Sequence, residues 1–447
     1  MSALDDVITV LKQYNELKQA KSLLDTFSKY ASNIQEYDIL GKAYYDIKFY
    51  KDAINWTLKA LTISPDNNSS YSIRANLAKL YNHINDPKQA LFYLNINDKL
   101  NPNNPEVMLE KVFSLFLLNK KVESEAILRE MIELDLDEQI RHRVLFNLGT
   151  YDLYAGKFQK GLRGFLLEGK KLDIWKKITL PFQYWDGGIQ LGKTILIVAE
   201  GGIGDEFINV RFCKKFEEYG MNPIWYTTRQ DIAKLFKSNG INVVTNLKEL
   251  NKDILWTYSM SLPIFLDLQE KDLWDGPYLK PSVEATKRWA WMIDNPLSKN
   301  NPLVGLRWTG NPEYEQDLHR SIPLSEIFKV IENKDYKLIS LQRDEGADDV
   351  QNFPDILDLQ HEFISYDDTL ACINNLDIVI TSCTSIAHAA SALGKRTFVL
   401  VPVTAYYTWA STTDTSTIWY GDNVTILRQV VHKSWQEPLE QLAEYLK

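Results

Sequence analysis

The amino-acid sequence predicts a multi-domain fold, in which an all-α array of helical repeats precedes an α/β unit of two Rossmann-like lobes with a cleft between them. Three observations favour this fold class. Small residues recur at one helical phase between residues 20 and 161, short β-branched runs alternate with helical segments from residue 193, and that alternation starts again near Pro302. The 447 residues are enough for about three folded units.

The recurring small residues predict pairs of packed helices. They are separated by 33, 37, 36 and 35 residues, and they are Ala20, Ala53, Ala90, Ala126 and Gly161. The tetratricopeptide pattern of small and aromatic positions is matched in the second repeat by Leu40, Gly41, Tyr44, Ala53, Ala60 and Pro65. It is matched in the third by Leu77, Ala78, Tyr81, Ala90 and Pro102, and in the fifth by Leu148, Gly149, Gly161 and Phe165. Small residues let paired helices approach closely, and a proline ends a helix.

The repeat pattern stops after Leu172, so we assign residues 1–172 to the repeats. Residues 173–192 are rich in glycine and aromatic side chains and predict an irregular connector. A first lobe, residues 193–283, has predicted strands in TILIVAE, NPIWYTT and INVVT, with helices from about Glu206 and Gln230. A linker, residues 284–301, leads to a second lobe, residues 302–447. Its predicted strands are PLVGLRW, YKLISLQ, DIVITS and RTFVLVP, and a helix from about Pro438 ends the chain.

Composition narrows the class of partner. Fifty Lys and Arg against 59 Asp and Glu give a net charge of −9, which repels a polyphosphate backbone, so we expect no nucleic-acid partner. No apolar run approaches the ~20 residues of a membrane span, and the charged amino terminus does not resemble a secretory signal. The three cysteines are widely spaced and odd in number, which is typical of a reducing compartment. We therefore expect a cytoplasmic protein.

The first candidate site motif is GGIGDEF, which lies between a predicted strand and a predicted helix. Gly201, Gly202 and Gly204 permit a tight turn and close backbone approach, and a helix start offers free N–H groups to an anion. Asp205 is placed to take a proton from an acceptor hydroxyl. The alternative is a helix N-cap, which the spacing alone favours.

The second motif runs from the predicted strand DIVITS into a helix of small residues. Ser382, Thr384 and Ser385 offer hydroxyls at the helix start, which suits a pyrophosphate. His388 lies one turn inside the helix, where a hydrogen-bonded buried histidine is an equally good interpretation. Cys383 is better explained as a small packed residue than as a nucleophile.

The third motif follows the first strand of the second lobe. Arg307, His319 and Arg320 are candidates for neutralising a diphosphate, because arginine makes paired hydrogen bonds to such groups. A solvated loop is the alternative. The six histidines and three cysteines show no metal-site spacing, so we expect no metal and no other cofactor.

Together these motifs resemble the heptosyltransferase-like glycosyltransferases, glycosyltransferase family 9, in the form that carries tetratricopeptide repeats in front. The resemblance covers nearly the whole chain and implies a GT-B fold. Gly201 to Asp205, followed by Arg211 and Phe212, resembles the first-lobe loop whose Asp is the family's presumed base. The segment from Val304 to Pro323 is similar to the start of its second lobe, where a basic residue at the position of Arg320 contacts donor phosphate.

Thr384, Ser385 and His388 resemble the family's Asp-Thr-Gly-x-x-His donor loop. Cys383 stands where that pattern has Asp, so the contacts of that carboxylate do not carry over, and the sugar stays open. The plan of repeats and two lobes is also similar to that of the O-linked N-acetylglucosamine transferases, in which the repeats hold protein acceptors.

The resemblance implies a metal-independent, inverting transfer from a nucleotide-sugar to an acceptor hydroxyl, with Asp205 as base and with repeats that bind a glycan acceptor, a protein acceptor or a partner protein. The rival interpretation is a non-catalytic repeat scaffold with a vestigial transferase fold. A nucleotide-binding oxidoreductase is disfavoured, because Phe207 stands where the Gly-x-Gly-x-x-Gly turn needs its last glycine.

Overall fold

The computed structural model describes residues 16–64, 70–172, 178–250, 253–293, 301–312, 314, 317–343, 345–410 and 415–447. The chain forms two compact units, residues 1–144 and residues 145–447. Each unit has its own hydrophobic clusters.

The first unit is built of helices that pair in chain order. They are α1 (Leu17–Phe27), α2 (Ile34–Asp46), α3 (Tyr50–Thr62), α4 (Tyr71–His83), α5 (Pro87–Leu100), α6 (Pro105–Leu117), α7 (Lys121–Ile132) and the start of α8 (Glu138–Tyr154). Local sequence sets where they begin: Asn104 accepts hydrogen bonds from the Glu106 and Val107 backbone N–H groups at 3.1 and 3.2 Å, and Pro105 occupies the first turn.

Small residues lie where the paired helices touch. Ala20, Ala53 and Ala90 are fully buried, and a Cβ on Gly41 of α2 would collide with Thr57 of α3. These positions confirm the predicted repeat phase, because only a small side chain allows the two backbones to approach so closely.

The prediction is wrong for the fourth repeat. Ala126 is exposed, and Ser124 is the small buried residue of α7. Its hydroxyl donates to the Val112 carbonyl on α6 at 2.9 Å, so it packs against the partner helix as an alanine would. Pro65, predicted to end the second repeat, lies outside the described residues.

The second unit begins with a helical hairpin, residues 145–172, which we call the terminal hairpin. It consists of the end of α8, α9 (Phe158–Leu162) and a π-helical continuation, Arg163–Glu168. Gly149 and Gly164 touch across it, since a Cβ on Gly164 would lie 2.7 Å from the Gly149 Cα. The predicted repeat boundary at 172 stays a prediction, but residues 145–172 pack with the α/β part of the chain.

The first lobe contains a parallel sheet of five strands in the order β1-β5-β2-β3-β4. The strands are β1 (Gln183–Tyr184), β2 (Thr194–Val198), β3 (Asn222–Tyr226), β4 (Val243–Val244) and β5 (Leu255–Tyr258). The helices of this lobe are α10 (Ile203–Val210), α11 (Cys213–Glu218), α12 (Gln230–Ser238) and α13 (Leu262–Phe265). Strand β1 lies within the predicted connector, which is therefore not wholly irregular.

Helix α14 (Val283–Ile293) begins the predicted linker. Its Trp289 is fully buried and stacks on Phe363 at 4.4 Å between ring centroids. Residues 294–300 of the linker lie outside the described residues.

The second lobe contains a parallel sheet of six strands in the order β11-β10-β9-β6-β7-β8. The strands are β6 (Leu303–Arg307), β7 (Lys337–Ser340), β8 (Ile356–Leu357), β9 (Ile378–Ser382), β10 (Arg396–Val401) and β11 (Val424–Arg428). The helices are α15 (Asp317–Arg320), α16 (Leu324–Ile331), α17 (Tyr366–Asn374), α18 (Ser385–Ala392) and α19 (Gln436–Tyr445).

Both sheets reverse their direction of growth once. In the first the reversal lies between β2 and β5, and in the second between β6 and β9. Ligands of open parallel sheets bind beyond the carboxyl ends of the strands at such points. The loops after β2 and β9, which carry the first two sequence motifs, are therefore at the expected ligand sites of the two lobes.

The fold class is the predicted one, with helical repeats before two parallel α/β lobes. Seven strands were expected from apolar runs: β2, β3, β4, β6, β7, β9 and β10. The other four, β1, β5, β8 and β11, were not. Helix α10 begins at Ile203, three residues before the predicted start, because the chain turns at Gly202 and helical geometry begins at once.

Candidate active site

A cavity of about 720 Å³ lies between the two lobes. Nine predicted site residues line it, and their roles stay predictions: Gly201, Gly202, Gly204, Asp205, Arg307, Arg320, Thr384, Ser385 and His388. Two further predicted residues, His319 and Ser382, are not among its lining. The fold thus gathers most of three motifs that are up to about 180 residues apart in sequence around one space of the size that small-molecule sites have.

The glycine loop brings the Asp205 carboxyl back onto the backbone. Gly201 has φ of +74°, a conformation that favours glycine, and a Cβ there would collide with the Asp205 carboxyl. The Asp205 Oδ2 accepts a hydrogen bond from the Gly202 N–H at 2.7 Å. Asp205 therefore caps α10 from inside its first turn, and it also lines the cavity. The capping role and the proposed base role do not exclude each other.

Burial changes the proton affinity of Asp205. Its removal from solvent raises the pKa of the carboxyl to about 7, and the negative charge of Glu200 acts in the same direction. The Gly202 N–H, the Tyr406 hydroxyl and Arg229 oppose this rise in pKa. A carboxyl with a pKa near neutrality exchanges protons readily at neutral pH, which is what general base catalysis needs.

The start of α18 forms the opposite wall. Thr384 occupies the N-cap position in an extended conformation, and Ser385 is the first helical residue. Helix α18 presents its N-terminal N–H groups at the cavity, where they attract negative charge. The Ser382 hydroxyl lies directly behind this turn, fully buried and without a hydrogen-bond partner among the described residues.

Arg320 connects the third motif to this helix start. Its Nε donates to Asp317 at 2.8 Å, its Nη1 donates to the Cys383 carbonyl at 3.1 Å, and its guanidinium lies 4.6 Å from the centre of the Tyr314 ring. The guanidinium is thus fixed beside Cys383 and Thr384 before any ligand arrives. Burial raises the pKa of the Cys383 thiol to about 11, so Cys383 carries no charge at neutral pH.

His388 is both a buried, hydrogen-bonded residue and part of the cavity wall. Its Nδ1 is 2.8 Å from the Tyr420 hydroxyl, and its ring stacks on Trp409. Burial, helped by the charge of Arg211, lowers the pKa of the imidazole to about 3, so His388 is neutral at physiological pH. The side chain also meets the first lobe, since a Cβ on Gly204 would lie 2.7 Å from the His388 Cδ2.

The other two basic residues of the third motif differ in position. Arg307 lines the cavity and donates to the Thr309 and Leu341 carbonyls, both at 3.1 Å. His319 lies with its ring 6.4 Å from that of His432, outside the cavity lining.

Several cavity residues were missed at the sequence level. Arg229 follows β3 and donates to the fully buried Glu206 carboxylate at 2.6 Å, which holds its guanidinium beside the glycine loop. The only sequence signal for Arg229 was its position just after a predicted strand. The others missed are Arg343, Tyr366, Thr369, Tyr406 and Trp409.

The terminal hairpin supports walls of the cavity from outside. The Tyr154 hydroxyl donates to the Val403 carbonyl at 3.3 Å and accepts from the Ala405 N–H at 3.2 Å. These bonds fix the loop after β10 that carries Tyr406. On the first lobe, Lys170 forms an ion pair with Glu200 at 2.8 Å, directly before the glycine loop.

The first unit has a smaller cavity of its own, of about 310 Å³. Tyr45 lies in its wall, with its hydroxyl 2.8 Å from the His83 Nε2 and the Lys79 ammonium 5.5 Å from its ring centre. The lining mixes lysine, aspartate and asparagine with an aromatic ring.

Two kinds of feature are absent from the part of the chain that the structure describes. Within those ranges no group of three or more His, Cys, Asp or Glu residues is placed to hold a metal ion. In the same part of the chain, no helix has the length and apolar character needed to cross a membrane.

No family model matches the chain, and no curated protein matches it. Among solved structures, it is similar to an O-GlcNAc transferase of Thermobaculum terrenum, with 13% identity over 92% of this chain and 89% of the other and a TM-score of 0.35. It is similar to a glycosyl transferase family 9 structure from Veillonella parvula, with 12% identity over 55% and 88% and a TM-score of 0.37. The E. coli ADP-heptose LPS heptosyltransferase II is 11% identical over 57% and 97%, with a TM-score of 0.37.

The chain's own topology defines the class of fold: two parallel α/β lobes around a cavity follow helical repeats along the chain, which is the GT-B arrangement of two Rossmann-like lobes.

Proposed function

We propose that this protein is a glycosyltransferase that moves a sugar from a nucleotide-sugar to an acceptor hydroxyl, with inversion and without a metal ion. One observation carries the proposal. The cavity between the lobes places a carboxyl with a pKa of about 7, Asp205, in one wall and an ordered guanidinium at a helix start, Arg320 with Thr384, in another.

The second lobe supplies the donor site in this proposal. The diphosphate binds at the start of α18, where the N–H groups, the Thr384 and Ser385 hydroxyls and the Arg320 guanidinium offer hydrogen bonds and positive charge. These groups stabilise the nucleoside diphosphate as its charge develops on leaving. They are cationic and neutral donors rather than carboxylates, so they neutralise the diphosphate directly and need no bridging cation. Neutral His388 adds a hydrogen-bonding group without charge.

The first lobe supplies the base. As the acceptor oxygen attacks the anomeric carbon, its proton passes to the Asp205 carboxylate and the bond from that carbon to the diphosphate oxygen breaks. A single displacement of this kind inverts the anomeric centre. Closure of the two lobes over the bound donor would keep water away from the activated sugar.

The helical repeats are proposed to bind the acceptor, a glycan or a protein, or a partner protein. The mixed polar and aromatic lining of the first unit's cavity supports a peptide ligand there. The specific sugar, nucleotide and acceptor follow from experiment.

The test is a thermal-shift and turnover screen of the full chain against nucleotide-sugars and the matching free nucleotides, with and without EDTA. We expect one donor to raise the melting temperature by mass action and to be turned over with EDTA present. Arg320→Ala should weaken the binding of that donor by roughly 10- to 100-fold, because hydrogen bonds to charged groups contribute about 1.5–3 kcal/mol. Arg396→Ala, at an exposed residue outside the cavity lining, is the matched control.

If no nucleotide or nucleotide-sugar shifts the melting temperature or is consumed, the transferase proposal is wrong. The rival interpretation, a repeat scaffold with a vestigial transferase fold, then stands.

A further inference from the structure

A partly buried ion pair lies just outside the candidate active site. The Lys170 ammonium is 2.8 Å from Glu200 Oε1 and 2.7 Å from the Ser261 hydroxyl, and it sits 4.2 Å from the centre of the Tyr258 ring. The two charged side chains are only 16% and 11% exposed. Glu200 Oε1 also accepts the Met260 N–H at 3.1 Å. Such a network is well ordered, because each of its members has partners on more than one side.

The network lies at the switch point of the first sheet. Glu200 follows β2, and residues 259–261 follow β5, so the contacts of Lys170 and Glu200 join the loops that follow these two neighbouring strands. The next residues after Glu200 are the glycine loop and Asp205. Lys170 comes from neither strand but from the terminal hairpin, which thereby reaches the loop that carries the proposed base.

Charged and titratable groups on several packed elements surround the Asp205 carboxyl. Glu200, Arg229 and Tyr406 affect its pKa, Tyr407 is affected by its charge, and His388, neutral at physiological pH, meets the same loop at Gly204. Arg229 is already paired with Glu206. Glu200 is the nearby negative charge that opposes ionisation of Asp205, and Lys170 is the cation that neutralises it.

We propose that Lys170 is a positioning residue for Asp205, which acts through Glu200 to hold the glycine loop and to set the charge that Asp205 meets. The inference deepens the proposed function, since it rests on Asp205 as the base. It gives the terminal hairpin, at the start of the second unit, a part in positioning the proposed base.

An ion pair with a purely structural role would make a different prediction. Its loss would lower stability equally at every pH between 5 and 9, and it would leave the protonation of Asp205 unchanged. The charge-setting role predicts that Lys170→Met moves the ionisation of Asp205 to higher pH, because the Glu200 carboxylate is left without its cation. Glu200→Gln should move it to lower pH, and the double variant should return it close to the original position.

The experiment measures the melting temperature of the full chain from pH 4 to 9. Four proteins are compared: the unaltered protein, Lys170→Met, Glu200→Gln and the double variant of these two. Each is measured with and without the additional substitution Asp205→Asn. The difference made by Asp205→Asn isolates the titration of that one carboxyl. We expect the pH at which this difference levels off to rise by about one unit in Lys170→Met. Lys171→Met is the matched control, since Lys171 is exposed, lies on the same turn and pairs with Glu168.

The proposal is overturned if the Asp205 titration levels off at the same pH with and without Lys170→Met. This readout needs no donor, so it stands or fails separately from the search for a nucleotide-sugar. Once a donor is known, the acidic limb of the kcat profile should move with the titration, and KM should change less than kcat.

Discussion

The two walls of the cavity are built from different chemistry. The wall from the first lobe carries a carboxyl whose pKa is raised to about 7 by burial. The wall from the second lobe carries an ordered guanidinium, a helix start and an imidazole whose pKa is lowered to about 3. Burial favours the neutral form of both groups, because it raises the pKa of the carboxyl and lowers the pKa of the imidazole.

The difference suggests a division of labour. Proton transfer is suited to the first wall, where one group changes its charge near neutral pH. Anion binding is suited to the second, where no group changes its charge near neutral pH. Substitutions should therefore separate turnover from donor binding, and the following predictions test that separation.

The largest effect is expected for Asp205→Asn. The amide oxygen can still accept the Gly202 N–H, so the loop and the donor site should persist, while the base is lost. We expect kcat to fall by about 10²- to 10⁴-fold, the range typical of general base catalysis. The donor-dependent rise in melting temperature should stay within the error of the unaltered protein. A loss of donor binding together with turnover would mean that the two walls do not act separately.

The next effect is on stability as a function of pH. Because the folded state raises the pKa of Asp205 from 3.8 to about 7, it favours the protonated carboxyl. Protonation of Asp205 contributes its full amount to the free energy of unfolding below pH 3.8. This contribution declines as pH rises towards 7 and is lost above that pH, so the free energy of unfolding then no longer changes from this cause. One pKa unit corresponds to about 1.4 kcal/mol, so the total is at most roughly 4 kcal/mol. At pH 8 the Asp205→Asn variant should therefore be more stable than the unaltered protein, as measured by chemical or thermal unfolding.

Asp253→Asn is the matched control for this measurement. Asp253 belongs to the same lobe, but its side chain is 91% exposed, so its substitution should change stability little at any pH. Equal pH dependence of the two variants would contradict the burial of Asp205 as the cause.

The smallest of these effects concerns the contact between the walls. Gly204→Ala places a Cβ 2.7 Å from the His388 ring, so either α10 or α18 must move. We expect a loss of about 1–3 kcal/mol, as for other overpacked positions, and weaker donor binding. Gly202→Ala is the control in the same loop, since its Cβ would meet nothing closer than 3.6 Å. Equal melting temperatures for the two variants would show that the lobes do not meet tightly at Gly204.

The sequence was enough to recognise several residues of the site, but it left their roles open. Gly201, Asp205, Thr384 and His388 were recognised because glycine turns and polar helix starts after apolar strands are local patterns. The same local reasoning could not decide between a cap and a base for Asp205, and the folded protein has the capping hydrogen bond and the cavity position together.

Other site features have no local pattern. Arg229 and Arg343 follow strands without a motif, and Tyr406 belongs to an irregular loop fixed by Tyr154, about 250 residues earlier in the chain. Lys170 belongs to none of the three sequence motifs. Such residues acquire their roles from contacts that depend on how distant segments pack.

The fold class, the helix-pair period and the strands that bear the three motifs could be predicted from the sequence, because they depend on periodicity and on glycine and proline chemistry within short windows. The folded chain was needed to show which residues share the cavity, which charges they meet and which pKa values are shifted. Those properties depend on burial and on distances between distant parts of the chain, and a sequence window contains neither.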